Sequence, residues 1–211
     1  MDYILRVFND EVFGAKSALR RAQYPMLTEV PDFDFPAIDD LTSARGEAIS
    51  MKNTDINRGI RLGNSPYGHG DDKFLRQIYV GMDITAPRFW WQEFATYGFY
   101  VGNSQSTMHK AAQIDFRKIG NSYVDSRMMD IFEEIRHEYI ENPTVENLER
   151  FKSNMPEGIM FTTGITTNYG QLKTIYYQRR NHRLPEWHVF CDWVESLPYA
   201  KEFGVCGKYE G

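Results

Sequence analysis

The chain has 211 residues, 42% of them hydrophobic, and is long enough to bury a core as one domain. Its formal net charge of −5 argues against an extended nucleic-acid surface or an anionic membrane as the main partner, because both favour a basic face. No stretch approaches the ~20 apolar residues of a membrane span, and the N-terminus lacks the pattern of a signal peptide. The two cysteines, Cys191 and Cys206, have no metal-ligand spacing, which predicts a reduced, cytoplasmic protein without bound metal.

The first half of the chain predicts two strands and two helices. YILRVF near the N-terminus has the composition of a strand, and residues 13 to 26 have the pattern of an amphipathic helix that ends at Pro25. Residues 42 to 72 show weak periodicity and a cluster of Gly, Asn, Ser and Pro, which predicts an irregular segment and a candidate ligand-facing loop. FLRQIYVGMDI, residues 74 to 84, alternates as a strand does, and aromatic residues follow at helical spacing behind Pro87.

The second half predicts mainly helices. One covers residues 123 to 139, and a second begins with Thr144 as its cap. A β-branched run predicts a strand near residues 157 to 165. Two helices follow, from 168 to about 183 and from 185 to about 203, because a proline at 185 fits the start of a helix and not its interior. This order of elements indicates an α+β protein.

Two arginines stand out in the segment NYGQLKTIYYQRRNHRLPEW. At ~100° per residue, Leu172, Ile175 and Tyr176 form one stripe of a helix, and both Arg179 and Arg183 fall in the middle of it. Burying an unpaired guanidinium is costly. The pattern therefore indicates either a carboxylate partner inside the protein or an anionic ligand delivered to this face.

Both explanations stay open on the pattern, which by itself favours ion pairs. The candidate partners on the next helix are Glu186, Asp192 and Glu195. Arg180 is assigned to a solvated face. A further cation, Arg61, lies in a Gly-rich stretch whose backbone amides are able to cradle phosphate, although the stretch lacks the spacing of a Walker motif.

Two segments carry a resemblance to a known family. ITAPRFWWQEFATYGFYVGNSQSTMHK, residues 84 to 110, resembles the strand, aromatic helix and signature of the flavin-dependent thymidylate synthases, in which Arg-His-Arg precedes a serine. MPEGIMFTTGITTNYGQLKTIYYQRR, residues 155 to 180, resembles that family's C-terminal strand and the helix with Asn-x-x-x-Leu and an arginine. GHGDDKFLRQIYVGMDI is a weaker third match, and together the three cover about half of the chain.

The resemblance implies an α+β fold with an antiparallel sheet and flanking helices, formed by a single domain over residues 1–211. It also implies a homotetramer, because the family builds its sites at subunit interfaces. Arg179 matches the arginine that holds the nucleotide, Asn168 the start of its helix, and Ser106 the serine of the signature. With Arg183 from the helical stripe, the nucleotide-binding candidates are Arg179, Arg183, Asn168, Ser104, Gln105 and Ser106.

The sequence also departs from the family pattern. Thr96, Tyr97 and Gly98 stand where the family has Arg-His-Arg, so the cationic cradle for flavin and nucleotide is absent. Met108 and His109 stand where it has Arg-Tyr. The remaining candidate contacts for a flavin cofactor are Arg58, Arg61, Asn103, His109 and Lys110.

These departures favour a divergent member of the fold that binds a nucleotide or a nucleotide-derived small molecule without the family's full chemistry. A cellular or viral protein of this kind could sequester a nucleotide signal. The alternative is an active FAD-dependent thymidylate synthase, which would methylate dUMP with methylene-tetrahydrofolate and NADPH. The absent cradle makes FAD the less favoured cofactor.

Overall fold

A computed structural model describes residues 4–30, 53–65, 69–110 and 113–207, without the side chains of residues 107 and 108. Its centre is a four-stranded antiparallel sheet with the strand order β1-β2-β4-β3. The strands are β1 (Arg6–Phe13), β2 (Tyr79–Pro87), β3 (Val101–Ser104) and β4 (Met160–Asn168). The central strands β2 and β4 therefore lead into the helices that follow them from the middle of the sheet.

Helices flank the sheet, so the predicted α+β class is confirmed. They are α1 (Ala15–Arg21), α2 (Asn53–Gly63), α3 (Arg88–Phe94), α4 (Thr107–Lys110), α5 (Phe116–Ile119), α6 (Ser126–Glu141), α7 (Val145–Ser153), α8 (Tyr169–Arg179) and α9 (Pro185–Glu195). Short 3₁₀ helices cover Tyr24–Met26 and Asp71–Gln77. Thr144 caps α7 as predicted, since its side chain accepts from the backbone N–H of Asn147 at 3.2 Å. Among the described residues, every helix is too short or too polar to cross a bilayer.

Part of the segment expected to be irregular is helical. The helix α2 occupies residues 53 to 63, so the prediction for 42 to 72 is wrong there, while residues 42 to 52 and 66 to 68 lie outside the described part. Two glycines weakened the helical signal. Both are sites of close approach: a Cβ on Gly59 would lie 2.5 Å from Leu19 Cδ2, and one on Gly63 would lie 2.2 Å from the carbonyl oxygen of Phe203. Packing against distant residues therefore explains glycines that, read locally, predicted a loop.

Other boundaries also differ from the prediction. The strand expected from residue 74 begins at Tyr79, because Phe74 and Leu75 are both buried in the preceding 3₁₀ helix and no alternation of faces exists there. The last helix ends at Glu195 and not near residue 203. The strand β3 was not predicted, because its sequence VGNS is poor in strand-forming residues.

Backbone packing divides the described residues into two compact units. The first includes 84–96 and 103–164, and its core is an aromatic cluster in which Phe116 contacts Phe132 edge-on and Phe132 stacks on Phe151. The second includes 7–83, 97–102 and the C-terminal residues from 165. The prediction of one domain over residues 1–211 stays a prediction.

Within the second unit, Lys173 joins α8 to α2. Lys173 of α8 donates to the backbone carbonyl of Gly63 at 2.9 Å and to Asp72 Oδ2 at 3.0 Å. One ammonium thus satisfies the C-terminal end of α2 and an acid of the 3₁₀ helix together. These contacts fix the helix that carries Arg179.

Candidate functional site

The strand β4 leads directly into α8, and a cap defines the first residue of the helix. Asn168 ends β4, and its Oδ1 accepts from the backbone N–H of Gln171 at 2.9 Å. The backbone N–H of Tyr169 donates to the carbonyl of Ile78 at 3.0 Å. Because the start of α8 is fixed in this way, its eleven residues place Arg179 at the last helical position.

Arg179 lies against two aromatic rings. Its Nε donates to the hydroxyl of Tyr97 at 2.7 Å. Its guanidinium carbon lies 4.7 Å from the centroid of the Trp187 ring and 5.6 Å from that of Tyr97. Trp187 is fully buried and Tyr97 is 7% exposed. Stacking on rings that are so desolvated stabilises the cation by ~1–2 kcal/mol, so packing fixes the position of Arg179.

The hydroxyl of Tyr97 joins Arg179 to a third polar side chain. Tyr97 Oη donates to Gln178 Oε1 at 3.0 Å. A guanidinium only donates, so the Tyr97 oxygen accepts from Arg179, and the Tyr97 hydroxyl donates a hydrogen bond to Gln178. Trp187 also contacts the ring of His182 edge-on, with 6.3 Å between centroids. We call Arg179, Tyr97, Gln178 and Trp187 the arginine cluster.

The structure contains only part of the helical stripe that the sequence predicts. Its apolar members are buried, namely Leu172, Ile175 and Tyr176. Arg183, however, lies four residues beyond the end of α8 and is exposed. The prediction that one helix extends to residue 183 is wrong, because Pro185 holds Leu184 in an extended conformation and begins α9. Arg179 alone of the two arginines therefore lies on α8.

The acids of α9 bind a different arginine from those predicted. Arg180 donates to Asp192 Oδ1 at 2.5 Å and lies 3.5 Å from Glu195 Oε1. Arg180 is 38% exposed, which agrees with its predicted place on a solvated face, but it is paired there. The expected pairing of Asp192 and Glu195 with Arg179 or Arg183 is replaced by this one. Glu186 is 3% exposed, and its Oε2 accepts no hydrogen bond from any described residue.

The signature segment uses its polar side chains locally. Gln105 exchanges two hydrogen bonds with Thr162, one through its backbone N–H and one through its side-chain oxygen, each of 3.0 Å. Ser106 accepts from the backbone N–H of His109 at 3.2 Å and so caps α4. Ser104 is exposed at the end of β3. The segment is thus held in place by its own side chains and by β4.

The residues considered for a flavin belong to both units. Arg58 donates to Asp55 Oδ1 at 2.7 Å and to the carbonyl of Leu19 at 3.4 Å, which assigns it a structural role in α2. Arg61 is exposed within the same helix. The idea that Arg61 lies in a phosphate-cradling loop is therefore wrong, because the amides around it belong to the helix. Asn103, His109 and Lys110 are exposed in the first unit.

The structure sorts the nucleotide-binding candidates into two sets. Asn168 and Arg179 lie at the two ends of α8 in the second unit. Ser104, Gln105 and Ser106 belong to the first unit. Sequence reasoning missed Tyr97 and Trp187 as neighbours of Arg179. The available signal for Tyr97 was its position at the middle of the degenerate Arg-His-Arg motif, whereas nothing local marked Trp187.

No protein-family model and no curated protein sequence matches the chain. Solved structures do match it. The flavin-dependent thymidylate synthase ThyX from Helicobacter pylori, complexed with FAD and dUMP, superposes with a TM-score of 0.69 at 14% identity, over 96% of this chain and 100% of that one. A second structure of ThyX from the same organism, also with FAD and dUMP, gives a TM-score of 0.69 at 15% identity, over 95% and 97% of the two chains.

A related methylase matches as well. The UMP/dUMP methylase PolB from Streptomyces cacaoi, bound with 5-Br dUMP, has a TM-score of 0.60 at 11% identity, over 95% of this chain and 92% of that one. Identities this low establish shape and not chemistry. The chain therefore has the fold of the flavin-dependent thymidylate synthases, as its sequence predicted.

Proposed function

We propose that the protein binds a pyrimidine nucleotide or a nucleotide-derived small molecule through Arg179, without the full chemistry of the flavin-dependent thymidylate synthases. The observation that supports this best is the arginine cluster. Arg179 occupies the position that resembles the family's nucleotide arginine, and it is stacked on the buried ring of Trp187 at 4.7 Å. The matching structures contain dUMP or 5-Br dUMP.

The chemistry of the guanidinium fits such a ligand. Arginine is charged at every physiological pH, and its planar donors suit a phosphate or the carbonyl groups of a pyrimidine. The ring of Trp187 covers one face of the guanidinium and keeps water from it. A partly desolvated cation interacts more strongly with an anion than an exposed one does. Arg179 is therefore our choice for the main ligand contact.

The degenerate motif argues against the flavin chemistry. Thr96 donates to the backbone carbonyl of Glu93 at 2.7 Å, Tyr97 bonds to Arg179 and Gln178, and Gly98 has no side chain. None of the three supplies a cation for a diphosphate. A flavin would need positive charges from elsewhere, and Arg58, one candidate, already pairs with Asp55.

Other parts of the proposal rest on the resemblance alone. They are a homotetrameric assembly, sites shared between subunits, and contacts from Asn168 and from Ser104, Gln105 and Ser106 of the signature segment. A contact from Arg183 rests instead on the helical pattern of the sequence. The second candidate function is an active FAD-dependent synthase acting on dUMP. The observation that favours it is a likeness over nearly the whole chain to an enzyme complexed with FAD and dUMP.

The test is dUMP binding, measured by calorimetry, to the wild type and to two arginine variants. Removing a charged hydrogen-bond partner of the ligand weakens binding by about 10- to 100-fold, and this loss is expected for Arg179→Ala. Arg180→Ala is the matched control, because it removes the neighbouring guanidinium, which pairs with Asp192. Its expected dUMP affinity is that of the wild type.

Two results would contradict the proposal: no dUMP binding by the wild type, or equal affinity in Arg179→Ala and the wild type. Thermal unfolding of both variants separates loss of binding from loss of fold. Native mass spectrometry and an absorbance spectrum of the same wild-type sample test the second candidate. A yellow protein carrying FAD would support the active synthase, whereas a colourless protein with a nucleotide-sized adduct would support the binding protein.

A further inference from the structure

We propose that Tyr97 is a positioning residue that orients Arg179 for its ligand. This inference rests on the proposed function and assigns a role to the residue that replaces the middle of the family's Arg-His-Arg motif. Tyr97 is 7% exposed, so its ring is fixed by packing and its hydroxyl has a defined place. That hydroxyl lies 2.7 Å from Arg179 Nε, although 82 residues separate the two in sequence.

The direction of the hydrogen bonds makes this role specific. Arg179 Nε can only donate, so the Tyr97 oxygen accepts from it. The Tyr97 hydroxyl donates its own proton to Gln178 Oε1 at 3.0 Å, on the residue that precedes Arg179 in α8. Tyr97 therefore contacts two consecutive side chains at the C-terminal end of the helix. A phenylalanine at this position would make neither bond.

The geometry also determines how the guanidinium is presented. With Nε held by Tyr97, the plane of Arg179 cannot turn freely about its terminal bonds, and its carbon stays 4.7 Å from the Trp187 centroid. Arginine has large rotamer entropy, which binding would otherwise have to overcome. A phenol performs this task without contributing a negative charge.

The first experiment needs no ligand. The Nε–H resonance of Arg179 is recorded in the ¹⁵N-labelled wild type and identified by its disappearance in Arg179→Lys. In Tyr97→Phe, which keeps the ring against Trp187, we expect this resonance to shift and its exchange with water to accelerate. Tyr176→Phe is the control, because it removes a hydroxyl bond of the same length, from Tyr176 to Glu195, on the same helix. An unchanged Arg179 resonance in Tyr97→Phe would overturn the inference.

The second experiment is a double-mutant cycle on dUMP affinity. Tyr97→Phe is expected to weaken binding by about 3- to 10-fold in the wild-type background and to have no effect in the Arg179→Ala background. A purely structural role of Tyr97 would weaken binding in both backgrounds. Equal losses in the two backgrounds, or wild-type affinity in Tyr97→Phe, would therefore reject positioning.

The two proposals fail in different ways. A wild type that does not bind dUMP contradicts the proposed function, and the resonance experiment still decides whether Tyr97 orients Arg179. A wild type that binds dUMP through Arg179, with Tyr97→Phe unchanged in both experiments, contradicts only the role of Tyr97.

Discussion

Arg179 and Arg180 are adjacent in the chain and have different partners. Arg179 lies against the rings of Trp187 and Tyr97, whereas Arg180 pairs with Asp192 and is 38% exposed. A rotation of ~100° between consecutive helical positions accounts for the difference. Two consecutive arginines of the sequence thus have different roles: Arg179 is the proposed ligand contact, and Arg180 joins α8 to α9.

The two cysteines are predicted to be unreactive in the folded protein. Cys191 and Cys206 are buried, and burial raises the pKa of the Cys191 thiol to about 12 and that of Cys206 to about 11. Because the thiolate is the reactive form, both should resist a thiol reagent such as dithionitrobenzoate at neutral pH. Titration is expected to modify neither cysteine in the native protein and both in denaturant. Rapid modification of either one in the native state would contradict this.

At the scale of the elements, α8 and α9 are joined by a polar network centred on Glu195. Its Oε1 accepts from the hydroxyl of Tyr176 at 2.7 Å, and its Oε2 lies 3.3 Å from Lys201 Nζ. The hydrogen bond from Tyr176, with help from Lys201 and Arg180, lowers the pKa of Glu195 below the ordinary value of 4.5. Burial raises the pKa of Tyr176 to about 12, with the bond to Glu195 adding to the effect.

The network predicts a loss of stability in acid. The carboxylate of Glu195 binds its proton less readily in the folded state than in the unfolded state. Its stabilising contribution is therefore complete above pH 4.5 and is lost as the pH falls through the lowered pKa of the folded state. Urea unfolding across this range is expected to show a shallower acid dependence for Glu195→Gln than for the wild type. Identical slopes in the two proteins would show that Glu195 does not contribute.

The elements that sequence predicted well are those with local signals. Asn168 caps α8 at the predicted residue, and Thr144 caps α7. The helix α2 and the strand β3 had no such signal. β3 is stabilised by its pairing with β4, which the hydrogen bonds between Gln105 and Thr162 continue, and sequence spacing does not reveal a partner 57 residues away.

The arginine cluster likewise depends on contacts between distant parts of the chain, which local sequence patterns do not reveal. Helical period predicts that Arg179 lies beside a buried stripe, and the fold agrees. The identity of its neighbours depends on where the segment around Tyr97 and the start of α9 come together, which no local pattern contains. The contacts of Arg179 with Tyr97 and Trp187, and that of Tyr97 with Gln178, were therefore accessible only from the structure.

At the scale of the molecule, Gly63 is the site where α2 meets the C-terminal segment. A Cβ there would lie 2.2 Å from the carbonyl oxygen of Phe203, and the backbone on both sides is already fixed. Asn64 holds it by donating to the carbonyl of Glu202 at 2.8 Å. The contact joins parts of the chain that are far apart in sequence, so its disruption is expected to affect the cooperative unfolding of the protein.

Gly63→Ala is predicted to destabilise the protein by about 1–3 kcal/mol, the usual cost of overpacking, despite the better helix propensity of alanine. Gly98→Ala is the matched control, since a Cβ at Gly98 meets nothing within 4 Å. Thermal unfolding should show a clearly lower midpoint for the first variant and a midpoint near that of the wild type for the second. Equal midpoints for the two variants would disprove the close approach.

Because the start of α8 is fixed, an inserted or deleted residue within the helix changes which side chain stands at its last position. Asn168 is held as the cap, and the helix has eleven residues. A deletion within it would bring Arg180 to the last position and preserve a guanidinium beside Trp187, whereas an insertion would bring Gln178 there and remove the charge. A library of single-residue insertions and deletions should therefore be asymmetric in this helix, with shortened variants retaining ligand affinity more often than lengthened ones.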